Sequence, residues 1–295
     1  MIQGQCLCGT VRYEVDGPLE SMTHCHCSMC RKHHGAPFAT YVRAPLAGFR
    51  FVTGQEGIEK YTTETGGVRS FCSTCGSVTP ILMEGHGIAL IPAGNLIGEL
   101  GIKPERHIFT GSKASWYEIR DSLPQFEEYP PEFGMKGVQR APVEAKEGVS
   151  QGSCLCGEVA YEVEGPPDLF MYCHCSRCRR GRSAAHGANM FFDPSKFRWL
   201  RGESLVKHYK VPEAVRFSVQ FCMKCGSGVP RHGTAVPVTL VPAGTLDTPI
   251  NLKPNARIFV GSKAPWLELY DDLARFDEMP PREVMAAARA TPPPR

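Results

Sequence analysis

Seven cysteines in the first half of the chain recur in the second half in the same order. Cys6, Cys8, Cys25, Cys27, Cys30, Cys72 and Cys75 return as Cys154, Cys156, Cys173, Cys175, Cys178, Cys222 and Cys225, offset by 148 residues for the first five and 150 for the last two. An odd set cannot be paired off into disulfides within its own half. CxC, CxCxxC and CxxC units far apart in sequence are instead how a β-rich domain gathers thiolates around zinc.

Whole phrases recur with the cysteines. Gln5-Cys-Leu-Cys-Gly matches Ser153-Cys-Leu-Cys-Gly, Phe71-Cys-Ser-Thr-Cys-Gly-Ser77 matches Phe221-Cys-Met-Lys-Cys-Gly-Ser227, Pro92-Ala-Gly-Asn-Leu96 matches Pro242-Ala-Gly-Thr-Leu246, and Gly111-Ser-Lys-Ala-Ser-Trp116 matches Gly261-Ser-Lys-Ala-Pro-Trp266. The period is too long for a solenoid, so a domain has been duplicated, and each copy is large enough to be expected to bury its own core. Breakers such as Pro142, and the echo of Pro130-Pro131 in Pro280-Pro281, place domain 1 at 1–134, a linker at 135–149, domain 2 at 150–281 and a flexible tail, with at most one short Ala-rich helix, at 282–295.

No stretch is apolar enough to cross a bilayer and the N-terminus lacks a signal-like apolar core, so the expectation is a soluble, cytoplasmic protein in which thiols stay reduced and bind metal. Residues 1–134 hold 11 Lys and Arg against 14 Asp and Glu, and residues 151–281 hold 16 against 13. Neither copy has the basic face of a nucleic-acid binder.

Alternation at Thr10-Val-Arg-Tyr-Glu-Val15, short apolar runs ending in Pro92 and Pro242, and dispersed glycines predict a mainly β chain. Helix is expected only as a short turn over 27–32 and 175–180, with a further turn near Asp121 and Asp271. Seven sulfurs divide as four plus three, since a closed structural zinc takes four thiolates whereas a reactive zinc keeps one exchangeable position. The Cys6/Cys8 unit and the knuckle-like Cys72/Cys75 unit supply a four-sulfur clamp, repeated by Cys154, Cys156, Cys222 and Cys225. Cys25, Cys27 and Cys30, repeated by Cys173, Cys175 and Cys178, are left as open three-sulfur sites, giving up to four Zn2+ per chain.

The order CxCG, CHCxxCR, FCxxCGS, PAG(N/T)L and GSKAxW in both halves resembles the glutathione-dependent formaldehyde-activating enzyme (GFA) family, which includes centromere protein V. The resemblance implies two tandem GFA-like zinc-binding domains, each of several small antiparallel sheets with zinc knuckles. It also implies the same division of cysteines into structural and open sets, with glutathione and formaldehyde condensing to S-hydroxymethylglutathione. The six open-site cysteines are then the catalytic candidates. A zinc already holding three thiolates is a weak Lewis acid, so positioning and reversible capture of the substrate sulfur are its expected roles.

Glutathione carries two carboxylates, for which Arg31, Lys32, Arg179 and Arg180 are the candidate partners, with solvated surface charge as the alternative. His26 and His174 are expected to point away from the metal because both neighbours point toward it, and Trp116 and Trp266 are expected in the core. The copies differ after the open site: Gly35-Ala-Pro-Phe38 in the first becomes Ser183-Ala-Ala-His186 in the second, with Arg182 added, and His107 faces Arg257. A preformed turn lowers the ordering cost of binding, so glutathione is expected to prefer the first copy. A zinc-dependent carbon–sulfur lyase acting on a thiol–aldehyde adduct is the leading reading. The alternatives are a non-catalytic zinc module that binds a protein or small thiol and, by the centromere analogy, nucleic-acid association.

Overall fold

The computed structural model describes residues 1–133, 143–144, 146–234 and 236–290, so most of the expected linker and the last five residues lie outside the described residues. In the first copy, Tyr13 and Val15 alternate inward along Arg12–Val15, the middle of a four-stranded antiparallel sheet ordered Leu96–Ile97, Ile2–Gln5, Arg12–Val15, Phe49–Thr53. Ser21–Cys25 lies in a five-stranded sheet between Ala39–Pro45 and Arg106–Ile108. Ile58–Thr62 and Val68–Cys72 form a hairpin. The second copy repeats this plan with sheets centred on Ala160–Glu164, Leu169–Cys173 and Ser218–Cys222.

The sheets are mixed rather than wholly antiparallel. Ile108 pairs in parallel with Cys25, and Ile258 with Cys173, because a late strand of each copy, Arg106–Ile108 or Ala256–Ile258, returns after a long crossover to the strand that carries the first open-site cysteine. Among the described residues there are three α-helices: α1 (Ser28–His34), α2 (Ser176–Arg182) and α3 (Arg282–Ala290). The turn expected near Asp121 forms no helix, and after Asp271 the chain adds a parallel strand, Ala274–Phe276, to the sheet. Three-residue pairing with Ala256–Ile258 outcompetes local helix propensity there.

The copies do not bury separate cores. Trp116 packs on Phe170 of the second copy with ring centroids 5.3 Å apart, and Trp266 sits with Met22, Phe38 and Val42 in the core of the first. Each GSKAxW segment therefore crosses to the other copy, and Ser115 fixes the crossing by donating to the Ile250 carbonyl at 2.7 Å. The repeated PAG phrase is the reciprocal contact. A Cβ on Gly94 would lie 2.3 Å from the Ala184 amide nitrogen, and one on Gly244 would lie 2.4 Å from that of Ala36, so only glycine lets the turn dock on the end of the opposing helix. Gly76 and Gly226, both in the left-handed region at φ +71°, make the same kind of contact with Phe221 and Phe71. A cavity of about 160 Å³ lies where the copies meet, lined by His24, Phe38, Tyr117, His186 and Trp266 among others.

Candidate metal centres and substrate pocket

Four sulfur clusters form where the repeat predicts them. Cys6, Cys8, Cys72 and Cys75 converge, as do Cys154, Cys156, Cys222 and Cys225, and the triads Cys25/Cys27/Cys30 and Cys173/Cys175/Cys178 stand apart from them. Cys6 and Cys8 sulfurs are 3.4 Å apart and Cys8 and Cys72 3.7 Å; the counterparts in the second copy are 3.3 and 3.8 Å. Four thiolates held at about 2.3 Å around a tetrahedral centre stand about 3.8 Å apart, so these sets fit a zinc ion. All fourteen cysteines are free thiols. The amides of Val11 and Val159 donate to Cys6 and Cys154 at 3.3 Å, and the hydroxyls of Ser77 and Ser227 approach Cys75 and Cys225 while accepting from the Leu7 and Leu155 amides. Donors of this kind favour the thiolate form.

In each triad the strand end supplies the first sulfur and the helix start supplies the other two. Cys27 and Cys175 cap α1 and α2, accepting from the amides of Cys30 and Cys178 at 3.3 Å. Sulfur–hydrogen donation from Cys25, then from Cys30, holds the Cys27 thiol well below its ordinary range, and the same arrangement from Cys173 and Cys178 brings Cys175 down to about 3. Phe109 and Phe259 follow the parallel strands in the left-handed region, at φ 60° and 57°, with their rings against the triads. A bulky residue in that conformation is strained, and such strain persists where packing over-determines it.

His26 and His174 turn away from the sulfurs. His26 Nε2 lies 2.9 Å from His107 Nδ1, and His107 Nε2 lies 3.0 Å from Asp121, whereas Arg257 donates from Nη1 to His174 Nε2 at 3.0 Å and from Nε to Asp271 at 3.0 Å. Burial, then the neighbouring His107 or Arg257, keeps both rings neutral. With Asp121 accepting from His107, His26 must donate from Nε2 and keep its lone pair on Nδ1. Facing Arg257, His174 must accept at Nε2 and carry its proton on Nδ1. The difference between His107 and Arg257 thus reverses the tautomer of the histidine behind each triad.

The cationic candidates are dispersed. Lys32 is buried and reaches across to the second copy, with Nζ 2.5 Å from Asp247 and 2.7 Å from the Ser153 hydroxyl. Arg31 and Arg179 each keep an unpartnered, buried Nε, and Arg180 is half-buried. Arg31 lies in the field of Cys27 and Arg179 in that of Cys175, and further cations near sulfur come from elsewhere. Arg69 lies near the first triad, where the field of Cys30 and the Tyr41 hydroxyl more than offsets the effect of burial and raises its pKa. Arg182 and Arg231 line the pocket on the second triad. Arg69 lies in the strand Val68–Cys72 whereas Arg231 lies beyond the matching strand Ser218–Cys222, so the repeat does not align them. The signal that could have found them is the replacement of Ile81 by Arg231 and of Val78 by Gly228 in otherwise matching phrases.

The two triads differ in access, the second being the more open. Cys27 and Cys30 are 4 and 5 % exposed and pack under Phe109, Tyr41 and Tyr129, with the Phe109 and Tyr129 ring centroids 4.7 Å apart. Cys175 and Cys178 are half-buried, and a cavity of about 160 Å³ opens beside Cys173 and Cys178. Nor is the second turn less fixed. Ser183 takes the same left-handed conformation as Gly35, with φ 51° against 60°, held by its hydroxyl donating to the carbonyls of Val78 and Arg180.

The model of the family described as glutathione-dependent formaldehyde-activating enzyme matches residues 1–112 and again 149–262. A protein of Halomonas elongata, named provisionally as a glutathione-dependent formaldehyde-activating enzyme, is 31 % identical over 142 residues, covering 45 % of this chain and 90 % of that one. A solved protein of Rhodobacter sphaeroides is 30 % identical and spans 33 % of this chain and 89 % of its own, with a TM-score of 0.28. With both halves matched and all fourteen ligand-type cysteines gathered into two fours and two threes, this chain belongs to the glutathione-dependent formaldehyde-activating enzyme family.

Proposed function

We propose that the chain is a zinc-dependent enzyme of the carbon–sulfur lyase type, acting on the adduct of glutathione or a similar thiol with formaldehyde or another small aldehyde. The observation that carries this reading is the triad Cys173/Cys175/Cys178, which has three convergent sulfurs where the closed sites have four, and a cavity in place of the fourth ligand. A zinc ion in such a set keeps one exchangeable position able to take a substrate sulfur as thiolate. The protein's own part is positioning. Phe191, Phe217 and Phe259 wall the pocket and exclude water, Asn189 directs its amide toward Cys178 at 3.9 Å, and two arginines add positive charge. In the condensation the carbon–sulfur bond forms at the aldehyde carbon, the C=O π bond breaks, and the thiol's proton ends on the new hydroxyl. The family match and the name of the Halomonas relative favour glutathione and formaldehyde as the pair. Up to four zinc ions per chain, two in closed sites, accompany this reading, as does a reducing, cytoplasmic setting.

For the first copy, the burial of Cys25, Cys27 and Cys30 beneath Phe109 and Tyr129 favours the second reading, a metal-holding module without turnover. The test is exchange spectroscopy on ¹³C-formaldehyde with glutathione. The zinc-loaded chain should speed formation of the hydroxymethyl thioether, Cys175→Ser should abolish the gain, and a rate equal to that of buffer would refute the proposal.

A further inference from the structure

Arg182 and Arg231 are both buried, each 8 % exposed, and both line the cavity on the second triad. Arg231 donates from Nη1 to the Arg216 carbonyl at 3.0 Å, and its Nε has no partner. Among the described residues no carboxylate pairs with either. The charge near both is the sulfur of Cys178, and burial brings Arg182 down to about 10 and lowers Arg231 as well. Two buried guanidinium groups without a counter-ion are costly, and natural folds supply an anion to such groups. A zinc-bound triad carries one net negative charge, which leaves one positive charge unmatched.

The arrangement is specific to this copy and is built by more than one residue. At the matching positions of the first copy, Arg182 is His34, Asn189 is Tyr41, Gly228 is Val78 and Arg231 is Ile81. His34 and Tyr41 hydrogen-bond each other at 2.9 Å and close that side of the first site. In the second copy, a Cβ on Gly228 would lie 2.2 Å from Arg182 Nη1, so the guanidinium occupies the space that a side chain fills in the first copy. The glycine has an ordinary backbone conformation, so its role here is to leave room for the arginine. Met279, at the position of Tyr129, leaves the pocket mouth uncapped.

We infer that Arg182 and Arg231 form an anion-recognition subsite selecting a carboxylate-bearing thiol, so that the second copy holds the substrate pocket and the first does not. This rests on the proposed binding of a substrate sulfur at the triad. At about 160 Å³ the cavity is smaller than the roughly 300–1,000 Å³ of a typical ligand pocket, and it suits a thiol arm with one carboxylate rather than the whole of a tripeptide. A planar guanidinium fork matches a carboxylate in both charge and geometry.

The test is calorimetric titration of the zinc-loaded full chain with 3-mercaptopropionate and with 2-mercaptoethanol, which presents a thiol without the carboxylate. The expected result is a single dominant site that binds 3-mercaptopropionate at least about tenfold more tightly, the scale of one charge-assisted hydrogen bond. Arg182→Gln and Arg231→Gln should each remove most of that preference while leaving 2-mercaptoethanol binding and zinc content unchanged. Gly228→Val should reproduce Arg182→Gln with both arginines intact, and Arg182→Lys should restore part of the preference. Cys175→Ser should abolish binding and Cys27→Ser should not. Equal affinity for the two thiols in the unmodified chain would overturn the inference and leave the proposed function standing. No heat from either thiol would overturn the proposed function as well, and loss of binding in Cys27→Ser alone would overturn the assignment to the second copy.

Discussion

Replacing Trp266 with alanine should damage the copy to which the residue does not belong. Trp266 is 4 % exposed and packs within the core around Met22, Phe38 and Val42, 6.5 Å ring to ring from His24. Truncating a core tryptophan costs about 3–5 kcal/mol, and because its ring already borders the cavity between the copies, the lower end, about 3 kcal/mol, applies here. At about 2–4 °C per kcal/mol for a chain of this size, the melting temperature should fall by about 6–12 °C. The assay that locates the damage is hydrogen exchange read by mass spectrometry on peptic fragments. Protection should drop in the strands Ser21–Cys25 and Ala39–Pro45 of the first copy, with Trp116→Ala giving the mirror result in Leu169–Cys173 and Gly187–Phe192. If Trp266→Ala loosened only the second copy, the exchange of segments that underlies the shared core would be refuted.

Cys225→Ser should remove a ligand from a closed site whose metal affinity is folding energy and abolish cooperative melting, whereas Cys175→Ser should cost little stability; equal losses, with zinc counted by elemental analysis, would undo the division into closed and open sites. Mild chelation should strip metal from the triads before the four-sulfur sites. Gly244→Val should destabilise the chain by several kcal/mol, read as a lowered denaturation midpoint, because the new Cβ would meet the backbone of Ala36 and Arg31 at 2.4 and 2.6 Å. His33 and His34 are fully buried, burial first of all bringing them down to about 3 and about 4. Since the unfolded chain takes up protons below about pH 6.5 while these rings stay neutral, the stability they contribute is present above that pH and is lost as pH falls toward 4. Denaturation midpoints at pH 7, 6 and 5 should decline less steeply in His34→Gln than in the unmodified chain.

Spacing was enough to read the cysteine sets and the mainly β character, since coordination number and strand periodicity are local rules. Gly94 and Gly244 were equally visible as part of a repeated phrase, but their partners Ala184 and Ala36 are 90 residues and more than 200 residues away in sequence, just past the helix of the other copy. A hydrophobic pattern says that Trp116 is buried; it does not say in which core. Lys32 illustrates the same limit, since its position beside Cys30 suggests a substrate contact and its side chain instead reaches Asp247. Arg231 was hidden for another reason. It lies beyond the strand Ser218–Cys222, which matches the one that carries Arg69 in the first copy, so the cation near sulfur survives while its sequence position changes.

The shared core and the unequal sites are linked by the fusion of the two copies. In a symmetric dimer every substitution appears twice, so opening one pocket opens both, and a residue near the two-fold axis must pack against itself. One chain holding both halves is free of that constraint. Phe38 and its counterpart His186 meet across the approximate axis with ring centroids 5.9 Å apart and nearly perpendicular, an unlike pair that no identical subunits could present. His34 donates from Nδ1 to the carbonyl of its own counterpart, Arg182, at 2.8 Å, while the Arg182 side chain goes to the second pocket. Lys32 answers Asp247 across one interface, and the mirrored pair would be Arg180 and Ile97, which cannot form an ion pair. Each of these asymmetries keeps the docking of helix on glycine turn intact while changing what surrounds the sulfurs. The first copy is thereby able to serve as the rigid half of the scaffold, its triad sealed by Tyr129, while the second accumulates Arg182, Gly228 and Arg231 around an open one.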